Sequence, residues 1–429
     1  MKGLILAAPS SGAGKTTVTL ALLRMLARNG VQVRGAKSGP DYIDPKFHEA
    51  ACHQPCLNLD AWAMSPERIA TLATSAPAEL LVIEGAMGLF DGAPPEGRGA
   101  VADLARQLDL PVILIVDAGR MAQSVAPLVA GFAGFDPRVR VAGVILNRVG
   151  SPRHARMLRA ALATLGLPVL GTLPRRTDLA LPSRHLGLVQ AGETAELEHF
   201  LERAADALAE GAPGDQPFDL ATTLALANPL AEPAHLPQTP PPAQHIAVAQ
   251  DQALAFAYPH MLTGWRAAGA TVTFFSALAD DPVPACDLVF LPGGYPELHA
   301  GRIAANARFL TSLRRHAETA PVYGECGGYM VLGDGLTDAE GTRHAMAGLL
   351  RLETSFQQRK LHLGYRRLSA GAGPMTGDWA GHEFHYATTL RAEGETLFTA
   401  RDAEGTHLPP MGLRHGRVSG SFAHLIERR

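Results

Sequence analysis

This chain has few cysteines, no long apolar run and no excess of positive charge, and each of these features excludes a class of protein. Only four residues are cysteine, namely Cys52, Cys56, Cys286 and Cys326, which is too few for a disulfide framework in a chain of this size. No apolar stretch approaches the ~18 residues that a membrane span needs. A reducing cytoplasm is the expected location, with no membrane partner.

The charge balance also argues against a nucleic-acid partner. The formal net charge is -3 and no Lys/Arg cluster stands out, whereas phosphate neutralisation needs a basic surface. The apolar run at residues 2–8 is too short for a signal peptide and leads directly into a glycine loop. With 429 residues, 47% of them hydrophobic, the chain suits two domains, each with its own core.

Two α/β patterns follow one another along the chain. Short apolar runs alternate with helical stretches up to about residue 205, which predicts a parallel sheet. The stretch from 206 to 243 is proline-rich and is expected to be a linker, although its first part can still pack against a domain. A second α/β pattern occupies residues 244–429. The strands predicted in the first pattern are Leu4–Ala8, Val31–Ala36, Leu80–Ile83, Val112–Val116 and Val141–Leu146.

The segment APSSGAGKTT, residues 8–17, has the pattern of a phosphate-binding P-loop between a strand and a helix. Such a loop converges backbone N–H groups on phosphate oxygens, while a lysine reaches the outer phosphates and a hydroxyl binds Mg²⁺. Pro9 replaces the usual first glycine. The residues expected to bind ATP are Gly12, Gly14, Lys15, Thr16 and Thr17. Thr16 is also a predicted Mg²⁺ ligand.

Acidic residues follow neighbouring predicted strands and are expected at the same edge of the sheet. Glu84 and Asp41 are the predicted magnesium ligands, and Asp44 is predicted to contact metal or substrate. Turn capping is the alternative for the two aspartates. Asn147 is predicted to read a purine edge, with an Asx turn as an equal alternative. Cys52-His53-x-x-Cys56 could be a metal site, but core thiols are the stronger interpretation.

A second chemical motif surrounds Cys326 in YGECGGYM, residues 323–330. A cysteine between an apolar strand and a glycine pair is predicted to lie on a tight turn with its sulfur exposed and its thiol pKa lowered by the following helix. The backbone N–H groups of Gly327 and of Gly294 are the expected oxyanion donors. His424, expected to close a short strand, is the predicted base in preference to His382, His385, His407 and His415.

These motifs resemble the class I glutamine amidotransferases, whose cysteine releases ammonia from glutamine in a flavodoxin-like domain. That family usually has a glutamate two residues after the histidine, where this chain has Ile426. The resemblance therefore implies a Cys–His dyad, since Glu427 is one position off and faces the other way in a regular strand.

The N-terminal half resembles the dethiobiotin-synthetase-like ATPases, and the whole chain resembles the cobyrinic or hydrogenobyrinic acid a,c-diamide synthases. KSGPDYIDP, EGAMGLFDG, LPSRHLGLV and GHEFHYAT carry this resemblance. It implies that ATP activates a corrin carboxylate as an acyl phosphate, which ammonia then attacks. Corrinoid acid, ATP and glutamine are the implied partners, and a homodimer is a family expectation. Candidate substrate contacts are Lys37, Tyr42, Asp44, Arg184 and His185.

Other functions remain open at this point. A related tetrapyrrole amidase, such as a cobyric acid synthase or an enzyme acting on a nickel sirohydrochlorin, would use the same catalytic residues. A ParA- or MinD-like switch ATPase would not need a reactive cysteine half. A regulatory, inactive amidotransferase fold is a further alternative, against which the presence of Cys326 and His424 argues.

Overall fold

The computed structural model describes residues 1–181, 183–184, 187–232 and 239–429. The chain forms two compact units, Met1–Leu236 and Pro237–Arg429. No helix among the described residues is both long enough and apolar enough to cross a lipid bilayer.

The first unit is a parallel α/β fold. Its helices are α1 (Lys15–Arg28), α2 (Asp44–Cys52), α3 (Pro66–Ala73), α4 (Val101–Leu108), α5 (Val125–Phe135), α6 (Pro152–Leu162), α7 (Leu197–Glu210) and α8 (Leu220–Leu226). Its strands are β1 (Lys2–Ala7), β2 (Val33–Ser38), β3 (Leu57–Leu59), β4 (Leu80–Glu84), β5 (Val112–Asp117), β6 (Val141–Val149), β7 (Val169–Pro174), β8 (Ser183–Arg184), β9 (Gly187–Leu188) and β10 (Asn228–Pro229).

The main sheet of this unit has the strand order β3-β2-β4-β1-β5-β6-β7, and all of these pairings are parallel. The central strands are apolar on both faces because helices cover both sides. The carboxyl ends of β1, β2, β4 and β6 therefore meet at one edge, where the loop after β1 leads into α1. The five predicted strands all exist, with ends that differ by at most three residues.

The linker prediction of 206–243 is too long. Residues up to 210 complete α7, and β10 pairs antiparallel with the start of β1. Packing explains the difference, because Asp206 in the last part of α7 forms an ion pair of 2.7 Å with Arg28 on α1. A proline-rich composition can therefore still belong to a domain when a few of its residues pair or pack.

The second unit combines a parallel and an antiparallel half. Its helices are α9 (Pro259–Ala267), α10 (Ala300–Ala305), α11 (Ala307–Thr319) and α12 (Gly327–Leu332). Its strands are β11 (His245–Ala249), β12 (Thr271–Phe275), β13 (Leu288–Leu291), β14 (Val322–Glu325), β15 (Gly335–Thr337), β16 (Arg343–Ala345), β17 (Arg351–Ser355), β18 (His362–Ala370), β19 (Gly377–His385), β20 (Thr388–Glu393), β21 (Glu395–Arg401), β22 (His407–His415), β23 (Val418–Ser421) and β24 (His424–Arg428).

The parallel half has the order β12-β11-β13-β14-β23, which is the flavodoxin-like order 2-1-3-4-5. The antiparallel half continues the same sheet beyond β23 in the order β22-β21-β18-β19-β24. A small separate sheet is formed by β15, β16, β17 and β20. The predicted two-domain α/β class is confirmed. One detail was wrong: His424 begins β24 and does not close a strand, because the chain leaves β23 at Ser421 before it pairs with β19.

Candidate active sites

The glycine loop of the first unit is held in a conformation that needs glycine. Gly12 and Gly14 have φ values of 79° and 84°, in the left-handed region that other residues rarely adopt. A side chain at Gly14 would overlap the amide nitrogen of Asn147. Asn147 donates from Nδ2 to the carbonyl of Ala13 at 2.9 Å, and its Oδ1 accepts from the backbone N–H of Arg148. Asn147 thus braces the loop, and its purine-reading role stays a prediction.

Beside this loop, an ammonium group lies between two carboxylates. The Nζ of Lys37 is 2.5 Å from Oδ2 of Asp44 and 2.9 Å from Oε1 of Glu84. The hydroxyl of Thr16, in the first turn of α1, donates to Glu84 at 2.8 Å and lies 3.4 Å from Asp44. These oxygen atoms are the ligand type that Mg²⁺ prefers.

The charges in this cluster are strongly coupled through burial. Burial raises the pKa of Asp44 to about 8, with repulsion from Asp41 adding to it and Lys37 opposing it. Burial also opposes ionisation of Glu84, but Lys37 and His48 outweigh it and hold the pKa of Glu84 well below its usual range. For Lys37, attraction to Asp44 and Glu84 outweighs burial, so its pKa lies above its ordinary value. The cation of Lys37 therefore holds the carboxyl groups of Asp44 and Glu84 together at this point.

The structure places the two aspartates differently, and their roles in metal or substrate binding stay predictions. Asp44, predicted to contact metal or substrate, lies among the buried oxygens next to Thr16 and Glu84. Asp41, the predicted metal ligand, has a side chain that is 35% exposed and 4.0 Å from Lys37. Its Oδ1 accepts from the backbone N–H groups of Ile43 and Asp44, which is the turn-capping arrangement. The sequence could not show which of Asp41 and Asp44 lies closer to Thr16 and Glu84, because both aspartates follow the same strand.

Lys15 lies where a phosphate-binding lysine should lie. Its ammonium group donates to the carbonyl of Met87 and lies 3.4 Å from that of Ser10. Burial and then the charge of Lys37 lower its pKa, while Glu84 opposes them. A phosphate would supply the negative charge that these carbonyls only partly provide.

One buried residue that sequence reasoning missed is His48. Its Nε2 lies 2.6 Å from Oε2 of Glu84, and its Nδ1 lies 3.4 Å from the thiol of Cys56. A side chain at Gly35 would contact His48 at 2.9 Å, so this glycine makes room for the ring. The signal was available, because His48 is four residues after Asp44 and shares its face of α2. Cys56 is therefore a core thiol next to His48, which agrees with the stronger interpretation of the Cys52-His53-x-x-Cys56 motif.

A cleft of about 590 Å³ opens over these groups. Its walls include Thr17, Asn147, Arg148, Arg175 and Leu188 together with the loop and the acids. Two predicted substrate residues are not among its lining. Tyr42 is half-buried outside it, and the guanidinium of Arg184 makes two hydrogen bonds of 2.7 and 2.8 Å to Glu193. His185 lies outside the described residues.

In the second unit, Cys326 occupies a strained turn between β14 and α12. Its φ of 46° and ψ of -105° are unusual for a residue with a side chain and are typical of a nucleophile elbow. A side chain at Gly328 would overlap the backbone of Leu291, and one at Gly324 would meet Gly328 at 2.8 Å. The glycines flanking this cysteine therefore allow the sharp turn.

The sulfur of Cys326 is not exposed and its pKa is not lowered, contrary to both predictions. The residue is 1% exposed, and burial raises the pKa of its thiol to about 12, with the carboxyl groups of Glu297 and then Glu325 adding to the effect. The backbone N–H groups of Gly327 and Gly294 hydrogen-bond to it and act the other way. These two amides are the predicted oxyanion donors, and they converge on the reacting atom.

His424 and Cys326 lie against the same side of Gly293. A side chain at Gly293 would overlap the imidazole of His424, 3.0 Å from its Nε2, and would lie 3.2 Å from Cβ of Cys326. Burial lowers the pKa of His424 to about 3, and the nearby His382 and His385 add to this. A neutral imidazole beside a thiol can accept the proton that the thiol must lose. By contrast, His407 and His415 are exposed.

A polar cluster on β18 and β19 lies next to this histidine. Glu383 accepts from Arg366 at 2.7 and 2.9 Å and bonds to Nε2 of His385 at 3.0 Å. His382 points to the opposite face of β19 with Phe384, against which its ring packs edge to face. Because alternate side chains of a strand share a face, Glu383 and His385 lie together on the other face of β19.

A phosphate-binding loop with an acidic cluster in one unit, and a cysteine elbow with a histidine in the other, define an ATP-dependent glutamine amidotransferase. Residues 4–189 match the CobQ/CobB/MinD/ParA nucleotide binding domain, and residues 245–429 match the CobB/CobQ-like glutamine amidotransferase domain. The chain belongs to the hydrogenobyrinate a,c-diamide synthase family.

Full-length relatives carry this assignment. Proteins named hydrogenobyrinate a,c-diamide synthase are 54% identical in Brucella anthropi and 53% identical in Rhizobium meliloti, each over 100% of this chain and 99% of the relative. The protein of that name in Rhodobacter capsulatus is 53% identical over 99% of this chain and 98% of its own. A solved glutamine amidotransferase structure covers 42% of this chain and 89% of its own at 16% identity, with a TM-score of 0.30.

Proposed function

We propose that the protein amidates the a and c side-chain carboxylates of hydrogenobyrinic acid, using ATP and glutamine. The observation that carries this proposal is that one chain contains both a phosphate-binding site and a separate cysteine site. The names of its relatives favour the metal-free corrin acid over cobyrinic acid. Activation of a carboxylate and production of ammonia are the two tasks that such an amidation requires.

The first unit would activate the carboxylate. A carboxylate oxygen attacks the γ-phosphorus of ATP, ADP leaves, and an acyl phosphate forms. Lys15 and the loop amides would hold the phosphates. Lys37 would stabilise the transferred phosphoryl group once its ammonium no longer pairs with Asp44 and Glu84. Magnesium would be held by Thr16, Asp44 and Glu84, and when bound it would neutralise charge on the phosphates.

The second unit would supply the ammonia. The thiol of Cys326 gives its proton to His424, and its sulfur bonds to the amide carbon of glutamine. The amides of Gly294 and Gly327 stabilise the resulting oxyanion. His424 returns the proton to the nitrogen, which leaves as ammonia, and water then hydrolyses the thioester to glutamate. The ammonia attacks the acyl phosphate and displaces phosphate, so each amide consumes one ATP and one glutamine.

Mass spectrometry of the products tests this proposal. Wild type is incubated with ATP, Mg²⁺ and glutamine, and with hydrogenobyrinic or cobyrinic acid in parallel. We expect two amide substitutions, faster on the metal-free acid. A Cys326→Ala variant should lose the reaction with glutamine and keep it with free ammonia. ATP hydrolysis without amidation of either acid would refute the proposal in favour of a switch ATPase, and preference for a diamide acceptor would indicate a related tetrapyrrole amidase.

A further inference from the structure

We propose that Glu325 is the positioning residue for His424, and that it takes the place of the carboxylate missing at position 426. This inference rests on the proposed glutamine hydrolysis at Cys326. The position two residues after His424 holds Ile426, a fully buried side chain that has no polar atom to offer an imidazole. An acid from elsewhere in the fold would therefore have to orient the ring.

The distance between the two side chains is short enough for a direct electrostatic contact. Oε2 of Glu325 lies 3.7 Å from Nδ1 of His424. Nε2 and Cε1 of the same ring lie next to the point where a side chain at Gly293 would begin, and Cβ of Cys326 lies 3.2 Å from that point. The carboxyl group and the nucleophile thus approach the imidazole from different sides, as an orienting acid and a reacting thiol should.

Backbone contacts hold Glu325 in this position. It is the last residue of β14, which pairs in parallel with β23, so that Glu325 lies opposite Ser421. Its Oε1 accepts a hydrogen bond of 3.1 Å from the backbone N–H of Leu425, the residue that follows His424. One carboxyl oxygen therefore fixes the main chain next to the histidine, while the other faces the ring.

The contact is shielded from solvent. The side chains of Glu325 and His424 are 3% and 1% exposed, so their interaction is screened much less than one at the surface. A proton that moves from the sulfur of Cys326 to Nε2 makes the imidazole cationic. A carboxylate facing Nδ1 stabilises that cation and keeps the ring in its productive orientation, as the aspartate does in serine proteases.

Other ionisable groups also face this pair. The hydroxyl of Tyr323 lies near Glu325 and acts on its carboxyl group, and Glu297 lies near Cys326. His382, His385 and Glu383 act on His424, which also hydrogen-bonds to the backbone of Phe256. Burial raises the pKa of Glu325 to about 8, whereas a cationic imidazole at this distance favours the ionised carboxylate.

A pair of matched variants tests the proposal. Glu325→Gln keeps an oxygen for the N–H of Leu425 but removes the negative charge, while Glu427→Gln removes the acid that is nearest to position 426 in the sequence. Three assays are run on the full chain from pH 6 to 9: glutamine-dependent amidation, which gives kcat and KM, amidation with free ammonia, and alkylation of Cys326 by iodoacetamide.

For Glu325→Gln we expect kcat with glutamine to fall about 10- to 100-fold, the range for removal of a residue that orients a reacting group. The KM for glutamine and the ammonia-dependent rate should stay within about twofold, and alkylation near pH 7 should slow. Glu427→Gln should behave like wild type in all three assays. A slower alkylation separates positioning from simple repulsion, because loss of a negative charge near Cys326 would by itself favour the thiolate.

Unchanged kcat with glutamine, or faster alkylation, would overturn the inference. If thermal unfolding shows that Glu325→Gln is not folded, the inference is tested with Glu325→Asp instead. This variant keeps the negative charge but moves it away from Nδ1 of His424. A folded Glu325→Asp variant with full glutamine-dependent activity would also overturn it. Wild type that hydrolyses no glutamine at all would contradict the proposed function, and this outcome differs from a failure of the Glu325 inference alone.

Discussion

Gly293→Ala should separate the two activities of this protein. The added methyl would overlap the imidazole of His424 and lie 3.0 Å from its Nε2, whereas carbon atoms in ordinary contact are about 3.5–4.0 Å apart. The ring must therefore move back by about 1 Å. Gly293 does not have a positive φ, so alanine itself is tolerated by the backbone and the clash is the main effect.

The size of the effect follows from that displacement. A misplacement of about 1 Å costs a reaction about 100-fold, which is about 3 kcal/mol in the activation barrier. We expect kcat for glutamine-dependent amidation to fall by about this factor, while the ammonia-dependent rate is unchanged. The assay is amide formation measured by mass spectrometry with each nitrogen source.

The matched control is Gly264→Ala in α9, where an added methyl meets no atom within 4 Å. Alanine there should stabilise the helix by up to about 1 kcal/mol and leave both rates unchanged. If Gly293→Ala kept the wild-type rate with glutamine, the position of His424 next to Gly293 would not matter for the reaction, and the assignment of His424 as the base would be refuted.

Three further predictions concern charge and loop geometry. Lys37→Met leaves two buried acids without their cation and should destabilise the protein by about 3–5 kcal/mol, with partial recovery when Mg²⁺ is added during thermal unfolding. Asn147→Ala removes the brace on the carbonyl of Ala13 and should weaken ATP binding about tenfold by calorimetry, with no loss of glutamine hydrolysis. Burial and then the charge of Arg366 lower the pKa of His382 to about 3, below its value in the unfolded chain. The stability that this histidine contributes is therefore present above about pH 6.5 and lost as the pH falls towards 3. Urea unfolding of wild type should lose about 2 kcal/mol more between pH 7 and pH 5 than that of His382→Asn.

Much of the architecture could be predicted because it depends on local patterns. Apolar runs of four to six residues between helical stretches identify the buried parallel strands, and glycines at the ends of these strands identify the turns where both sites lie. Gly12, Gly14, Lys15 and Cys326 could be identified for the same reason, since each is part of a continuous motif. The extent of the linker could not, because pairing of β10 with β1 leaves no local signal.

The chemistry of individual side chains was less predictable, because it depends on burial. The pattern around Cys326 indicates an exposed, acidic thiol, yet the folded chain covers the sulfur and places Glu297 near it. Likewise, Asp41 and Asp44 are equivalent by position in the sequence, and only the packing of α2 gives Asp44 the place beside Thr16.

The sequence by itself determined the two α/β folds, the phosphate-binding loop and the cysteine turn, because these follow from residues that are close together in the chain. Tertiary structure alone decided which groups act on them. His48 meets Glu84, and Glu325 meets His424, across 36 and 99 positions of sequence. Such contacts depend on the order of strands in each sheet, which brings together the carboxyl ends of segments that are distant in sequence.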